Sequence, residues 1–313
     1  MTKIVPKISI VVPLFNEEQN IDVLFKRLTS LNDTSPFSLE FVFIDDGSSD
    51  MTPIIISQLA LLHSNIKSIL LSRNFGHQAA VSAGLLHASA SEAIFVIDGD
   101  LQDPPEMIGK FYEKLILGYD VIYGVRKTRK EGLMLKFSYK LFYRILSRIS
   151  NIKIPLDSGD FCLMSRRVVD ILNSMPEESR FLRGMRSWVG FAQIGIPYER
   201  DHRNAGKSKY SFLKLLNLAL DGFFDFTKLP TRFIFILGFI SMVISLSYLF
   251  YSLFMKYFYS LNPEGFTGLL FIIVFISSIQ MISISILGEY IVRIFFQTKG
   301  RPLFVINTIV EKK

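Results

Sequence analysis

Residues 233–254 run for 22 positions without one charged side chain. At ~1.5 Å rise per residue, a helix of that length spans roughly 33 Å, the depth of a bilayer core. A second uncharged run of 21 positions covers residues 268–288, softened by Ser277, Ser278, Gln280, Ser283 and Ser285. Buried helices of a soluble protein are rarely that long and that free of charge, so both read as membrane spans. Lys228 and Arg232 precede the first span, and Arg293, Lys299 and Arg301 follow the second. The connection between them holds Lys256 and Glu264. Cationic flanks stay on the cytoplasmic side, so both termini are expected there, with a short hairpin outside. Glu289 and Arg293, one helical turn apart, are placed to pair at the inner boundary.

The rest of the chain is globular in pattern. Overall, 50% of residues are hydrophobic, the mean hydropathy is +0.34 and the net charge is +7, with most of the apolar excess after Thr231. The positive charges track the membrane flanks and no base-stacking module is evident, which argues against nucleic acid as a partner. Cys162 stands alone, so no disulfide can form within one chain, and the four histidines show no zinc spacing. The apolar run at residues 8–15 contains Pro13 and leads straight into Asn16-Glu17-Glu18, which fits a first buried strand and not a signal peptide.

Strand and helix patterns alternate through the first half. Strands are expected at residues 8–12, 39–44, 66–71, 93–97 and 120–123. Helices are expected at 17–31, 51–63, 78–88 and 105–117. This order predicts an α/β fold with a mostly parallel sheet covered by helices on both faces. Ligands of such sheets bind beyond the carboxyl ends of the strands. Three polar clusters, at residues 16–18, 45–50 and 98–103, fall at those ends. Residues 133–150 differ: Lys136, Lys140, Arg144 and Arg148 recur every four positions beside a broad apolar face. That pattern fits a helix lying in the interface of an anionic membrane, with an ordinary amphipathic helix on the core as the alternative. Residues 208–229 form a second amphipathic, aromatic segment leading into the first span.

The acidic octet Asp98-Gly99-Asp100-Leu101-Gln102-Asp103-Pro104-Pro105 carries the strongest chemical signal. Carboxylates two residues apart at a strand end can turn toward one point. Mg²⁺ or Mn²⁺ takes such oxygen donors and keeps positions for substrate phosphates. Asp100 with Gln102, assisted by Asp98, forms the candidate set. An isolated Asp-X-Asp would be an ordinary acidic turn; the whole octet after a strand is far more specific. Asp45-Asp46-Gly47-Ser48-Ser49-Asp50 can accept from a base or ribose, or can simply be a strand-to-helix turn capped by Asp50. Asn16-Glu17-Glu18 carries the same ambiguity.

Taken together, these segments resemble the inverting nucleotide-sugar glycosyltransferases of family 2, which have the GT-A fold, from Ile8 to about Tyr210. Within that family the likeness is greatest to polyprenyl-phosphate glycosyltransferases, bactoprenol glucosyltransferases among them, and more distantly to dolichyl-phosphate mannose synthases. The resemblance makes Pro13, Glu17 and Asp46 nucleoside contacts, with Asp45 a helper, and residues 71–76 (Leu-Ser-Arg-Asn-Phe-Gly) part of the nucleotide site. It makes Asp98, Asp100 and Gln102 the metal and diphosphate set, with Gly99 where close relatives more often carry Ala. Ser158-Gly159-Asp160-Phe161 matches an acceptor-side segment in which the Asp is a proposed base. A lipid monophosphate, with a second pKa near ~6, is already mostly dianionic at neutral pH, so Asp160 as base, as orienting group or as plain loop residue all stay open. Arg126, Lys127 and Arg129 are placed to hold the acceptor phosphate or to form a solvated basic loop. Arg203, Ser208 and Lys209 match a segment that closes on the donor diphosphate. Residues 180–188 receive no chemistry beyond a wall of the sugar pocket, with core packing the alternative, and His77 is the one histidine near the nucleotide loop.

The implied organisation is a cytoplasmic GT-A catalytic domain at residues 1–207, a juxtamembrane helix at 208–230, and two spans with a short tail at 231–313 of a multi-pass protein in a bacterial inner membrane. The resemblance favours UDP-glucose as donor and undecaprenyl phosphate as acceptor. Mannose or an aminoarabinose derivative are the rival sugars, and a homo-oligomer is left open. A processive polysaccharide synthase would need more spans and a Gln-X-X-Arg-Trp segment, which is lacking. A non-catalytic membrane-tethered nucleotide-binding scaffold is the rival from another class.

Overall fold

A computed structural model describes residues 7–126, 158–177, 180–199, 229–259 and 265–312. The chain divides into two units: residues 1–148, 152–219 and 302–313 in the first, and 149–151 with 220–301 in the second.

The first unit is built on an eight-stranded mixed sheet. In chain order its elements are β1 (Lys7–Leu14), α1 (Glu18–Thr34), β2 (Ser38–Asp45), α2 (Thr52–Leu62), β3 (Ile66–Leu71), α3 (His77–His87), β4 (Ala93–Val96), α4 (Ile108–Ile116), β5 (Val121–Arg126), β6 (Ser158–Ser165), α5 (Arg166–Ser174), α6 (Leu182–Val189) and β7 (Gln193–Tyr198). The last strand of the chain, β8 (Ile306–Glu311), joins the same sheet. The strand order is β7-β5-β6-β4-β1-β2-β3-β8. Pairs β1–β2, β1–β4, β2–β3 and β5–β7 are parallel, while β6 runs antiparallel to both β4 and β5, and β8 antiparallel to β3.

The hydrophobic strands are continuous because both faces of the sheet are covered. In β1, Ile8, Ile10, Val12 and Leu14 point to one face, where α1 adds Ile21, Leu24 and Leu28; Val11 points to the other, beneath α3 and α5. The 3–4 spacing of the α1 residues seats one stripe of that helix on the sheet, each side chain contributing about 1.5–3 kcal/mol of burial. The chain lays β1, β2 and β3 outward in one direction, then returns to place β4 on the other side of β1. That reversal is the switch point at which open α/β sheets form their ligand crevice.

The expected α/β architecture is therefore present, with three strands that alternation of apolar segments did not reveal, β6, β7 and β8. β6 lies antiparallel in the centre, and β8 pairs with β3 at the edge, using residues that the sequence places in the tail after the second span. Short strands paired by distant segments carry no local pattern of their own.

The second unit holds α7 (Leu229–Tyr259) and α8 (Phe266–Thr298). Within them, Phe233–Tyr259 and Phe275–Thr298 are long and apolar enough to cross a membrane. Their apolar side chains are exposed around the helix, Phe235 at 74% and Ile291 at 65%. The expected pair forms: Arg293 Nε donates to Glu289 Oε1 at 3.0 Å.

Candidate active site

The sheet brings eight strand ends to one rim, the amino end of β8 among them because it runs antiparallel to β3. The carboxyl ends of β1 to β5 and β7 point the same way. Because β6 is antiparallel to its neighbours, its amino end, Ser158-Gly159-Asp160, joins them. All three polar clusters found in the sequence lie on that rim.

The clusters after β1 and β2 are clamped to each other. Asn16, at φ 51°, donates its backbone N–H to Ser48 Oγ at 2.8 Å and accepts from the Ser49 N–H through Oδ1 at 2.8 Å. Glu17 N–H donates to Thr52 Oγ1 at 3.0 Å, and Asn20 donates to the Glu17 carboxylate at 2.6 Å. Asp45 accepts from the Ser48 N–H, closing its own turn, and burial raises its pKa against that bond. Asp46 reaches further: Phe75 N–H donates to its Oδ1 at 2.7 Å and Gly76 N–H to its Oδ2 at 3.0 Å. Burial raises this pKa too, partly offset by the two N–H donors. Asp46 thus ties Phe75 and Gly76, the end of the expected nucleotide segment 71–76, to the end of β2. Gly47 permits this approach. It sits at φ 69°, and a Cβ there would lie 2.4 Å from the Arg73 carbonyl carbon.

The acidic octet follows β4 on the opposite side of β1. Leu101, buried, takes φ 61°, a left-handed turn that a branched apolar residue adopts only under constraint. Asp100 accepts from Gln102 N–H at 3.1 Å. Asp103 points into the core, 1% exposed, and Tyr198 Oη donates to it. Burial and the Asp103 carboxylate together raise the Tyr198 pKa, keeping it a donor. Of the other two octet carboxylates, Asp98 is 30% exposed at the rim and Asp100 is buried, 7% exposed.

Those two carboxylates with the Gln102 amide would offer oxygen donors only, the chemistry a hard divalent cation takes. Among the described residues no group of three His, Cys, Asp or Glu converges to hold a metal. A cation on Asp98 and Asp100 would therefore fill its shell from the Gln102 amide, water and a substrate diphosphate.

Between the octet and β6 lies the start of α3. His77 Nε2 is 2.9 Å from Asp98 Oδ1, and its Nδ1 is 3.8 Å from Asp160 Oδ2. Burial would lower the His77 pKa, but the bond to Asp98 and the charges of Asp98 and Asp160 prevail and push it up to about 9, so the ring is cationic at neutral pH. Gln78 Nε2 donates to Asp160 Oδ2 at 3.1 Å and its Oε1 accepts from Leu182 N–H at 3.2 Å, tying α3, β6 and α6 together. Arg183, on α6, grips Asp160 with two parallel bonds, Nε to Oδ1 at 2.9 Å and Nη2 to Oδ2 at 3.1 Å. Burial opposes ionisation of Asp160, yet Arg183 first and then His77 hold its carboxyl far below the ordinary range. Arg126, at the end of β5, donates to Tyr198 Oη.

Tertiary structure therefore brings Asp98, Asp100, Asp160 and Arg126 to one rim with Glu17, Asp45 and Asp46, and Pro13 lies in β1 opposite Ile44. Lys127, Arg129, Arg203, Ser208 and Lys209 lie outside the described residues, as do the expected helices at 133–150 and most of 208–230. Gln78, Arg183 and Tyr198 were not legible in the sequence as site residues. Arg183 lies within residues 180–188, for which the sequence suggests no more than a wall of the sugar pocket, and shares that segment with Arg180 and Arg186.

Strand order and rim together define an α/β protein whose ligand crevice lies at the strand ends, bordered by the acidic loop. The family model for glycosyl transferase family 2 matches residues 9–172, and the chain belongs to that family. A glycosyltransferase of Bacillus subtilis, YkcC, itself uncharacterised, is 40% identical over 300 residues, covering 96% of this chain and 93% of the relative. A bactoprenol glucosyl transferase of Shigella phage SfV is 39% identical over 307 residues, covering 98% and 100%. A prophage bactoprenol glucosyl transferase homologue of Escherichia coli K12 is 38% identical, covering 97% and 99%. Among solved structures, glucosyl-3-phosphoglycerate synthase of Mycobacterium tuberculosis is 20% identical, with a TM-score of 0.46 over 69% of this chain and 76% of that one.

Proposed function

We propose that this glycosyltransferase moves glucose from UDP-glucose onto a polyprenyl phosphate at the cytoplasmic face of the membrane, with inversion and with Mg²⁺ or Mn²⁺. The observation that carries the reading is the match to bactoprenol glucosyl transferases. It runs over nearly the whole chain, well beyond the family-model region and through the two apolar helices. Those helices would anchor the enzyme where its lipid acceptor resides, both termini in the cytoplasm.

The rim divides the labour. On the β1–β2 side, the mutually clamped turns and Asp46 hold Phe75 and Gly76 in a preformed wall for the nucleoside, which lowers the ordering cost of donor binding. On the β4 side, Asp98, Asp100 and Gln102 would hold the cation, which would neutralise charge on the departing diphosphate. On the β6 side, the acceptor phosphate would approach the anomeric carbon from the face opposite that leaving group. A dianionic phosphate oxygen needs placement more than deprotonation. Asp160, its carboxylate committed to Arg183 and Gln78, suits a positioning part better than proton acceptance.

Purified full-length protein in detergent, given radiolabelled nucleotide-sugars and undecaprenyl phosphate, tests this directly. Label should enter the lipid from UDP-glucose, stop with EDTA and return with Mn²⁺ or Mg²⁺. Transfer from a mannose or aminoarabinose donor instead would replace the sugar assignment. Asp100→Ala should lower transfer by roughly 10²-fold or more while the protein stays in the membrane fraction; undiminished transfer would overturn the metal assignment.

A further inference from the structure

β8 lies outside residues 9–172, the stretch that matches the family model, yet it belongs to the same unit as the rest of the sheet. It pairs with β3 from Lys67 opposite Glu311 to Leu70 opposite Thr308. The register then shifts, so that Leu71 faces Ile306 and Asn307 is left over. A bulge of this kind twists the strand and ends its regular pairing. Beyond it one further bond forms: the Ser72 N–H donates to Val305 O at 2.9 Å. Phe304 and Ile306 pack against the same apolar cluster as Phe75, on the α3 face of the sheet. At its other end the strand is fixed as well. Lys67 Nζ lies 3.6 Å from Glu311 Oε2, and Lys312 Nζ donates to Leu62 O at 3.1 Å.

The consequence falls on residues 71–76. Ser72 is bound to Val305 on one side, while Phe75 and Gly76 donate to Asp46 on the other. Arg73 and Asn74 stand exposed between these two anchors, the Arg73 guanidinium 3.9 Å from the centre of the Phe75 ring. Asp46 alone would fix only the end of the segment. Ordering backbone costs conformational entropy, and a ligand that meets a segment already ordered does not bear that cost. A strand that merely covered the sheet edge would stop with the ladder at Leu71. This one continues past the bulge to the residue where the segment begins.

We propose that β8 and the residues leading into it are a positioning element for the sugar donor. Val305 O, seated by Phe304 and Ile306, holds the first half of segment 71–76 in the shape that receives the nucleoside. This rests on the reading of that segment as part of the nucleotide site, and adds to it a part of the chain that follows the second apolar helix. The tail acts through Ser72 and touches no substrate itself.

The test uses full-length protein in detergent, with UDP and Mn²⁺ as the probe. In wild type, UDP should slow hydrogen–deuterium exchange across residues 71–76. The double variant Phe304→Ala/Ile306→Ala should exchange faster there when free, and should bind UDP with a Kd raised roughly fivefold or more. In steady-state transfer its KM for UDP-glucose should rise by a similar factor, while kcat and KM for polyprenyl phosphate stay within about twofold. Phe304→Leu/Ile306→Val should recover most of the donor affinity, since it keeps the apolar seat. If the double alanine variant does not fold, Phe304→Ala alone is read in the same way. A folded variant with the wild-type Kd for UDP, or one whose acceptor KM rises as much as its donor KM, would overturn the tail's part and leave the nucleotide reading standing. UDP that leaves exchange at 71–76 unaltered in wild type would sink the nucleotide reading of that segment, and the proposal with it.

Discussion

His77 Nε2 lies 2.9 Å from Asp98 Oδ1, so the first residue of α3 supports a carboxylate at the end of β4. The same ring faces Asp160 at 3.8 Å and so stands between the carboxylate proposed for the donor's cation and the one proposed for the acceptor side. Outer partners of this kind set the orientation of a ligand without touching the ion. His77→Ala should therefore raise the Mn²⁺ concentration needed for half-maximal transfer by roughly tenfold. Metal titrations of the two proteins that superimpose would show that the contact is only structural.

Two glycines on the rim should respond differently to alanine. At Gly47 a Cβ would meet backbone, the Arg73 carbonyl carbon at 2.4 Å and Asn74 N at 2.5 Å, on a left-handed residue. Left-handed strain alone costs about 1–2 kcal/mol, and the backbone collision adds to it. Gly47→Ala should displace residues 72–76, lower Tm and raise KM for UDP-glucose. At Gly99 the nearest atom is Leu14 Cδ2 at 2.3 Å, the end of a side chain that can rotate. Gly99→Ala should lower stability by no more than about 1–2 kcal/mol and keep transfer near wild type. Equal damage at both positions would contradict the packing described.

The acid limb of the pH–rate profile distinguishes the parts Asp160 can play. Arg183 and His77 hold its carboxyl far below the usual range, so Asp160 is ionised throughout the working pH. The group that titrates is then the acceptor phosphate, with a second pKa near ~6. kcat/KM for polyprenyl phosphate should fall as pH drops through about 6, in wild type and in Asp160→Asn alike. A limb that vanishes in Asp160→Asn would make this carboxylate the base.

Acid stability should depend on Asp120. Arg167 donates to both its oxygens and Ser165 Oγ to one at 2.8 Å, joining the start of β5 to β6 and α5. The Arg167 bond, foremost, lowers the Asp120 pKa in the folded state. A depressed carboxylate pKa stabilises the fold above the unfolded value, near ~3.9, and that contribution is lost as pH falls through the lower, folded value. In thermal melts Asp120→Asn should lower Tm by a few degrees at pH 7, with a smaller difference from wild type at the lowest pH that leaves both folded. A Tm difference independent of pH would assign the loss to packing instead of charge.

Much of this protein is legible from local pattern. Amphipathic spacing in α1 and α4, apolar runs in β1 to β4, and the acidic octet are short-range features, written within a dozen residues. The two uncharged runs are equally local, since length and composition alone decide whether a helix can cross a bilayer. Boundaries shifted by a few residues: residues 8–12 became Lys7–Leu14, and 120–123 became Val121–Arg126. Strand ends depend on the neighbour that pairs with them, and the sequence of one strand does not contain its neighbour.

The sequence by itself determined the class of fold, the two apolar helices and the identity of the acidic loop, because each rests on contiguous residues whose polarity and spacing permit few alternatives. Tertiary structure alone decided that β6 enters antiparallel and carries Asp160 to the rim, and that β8 returns to the sheet edge beside β3. It also decided that Arg183, 23 positions after Asp160, closes on that carboxylate, and that His77 stands between Asp160 and Asp98. Those relationships join side chains far apart in the chain. They exist only because strand order and direction bring the ends of separate elements within hydrogen-bonding distance.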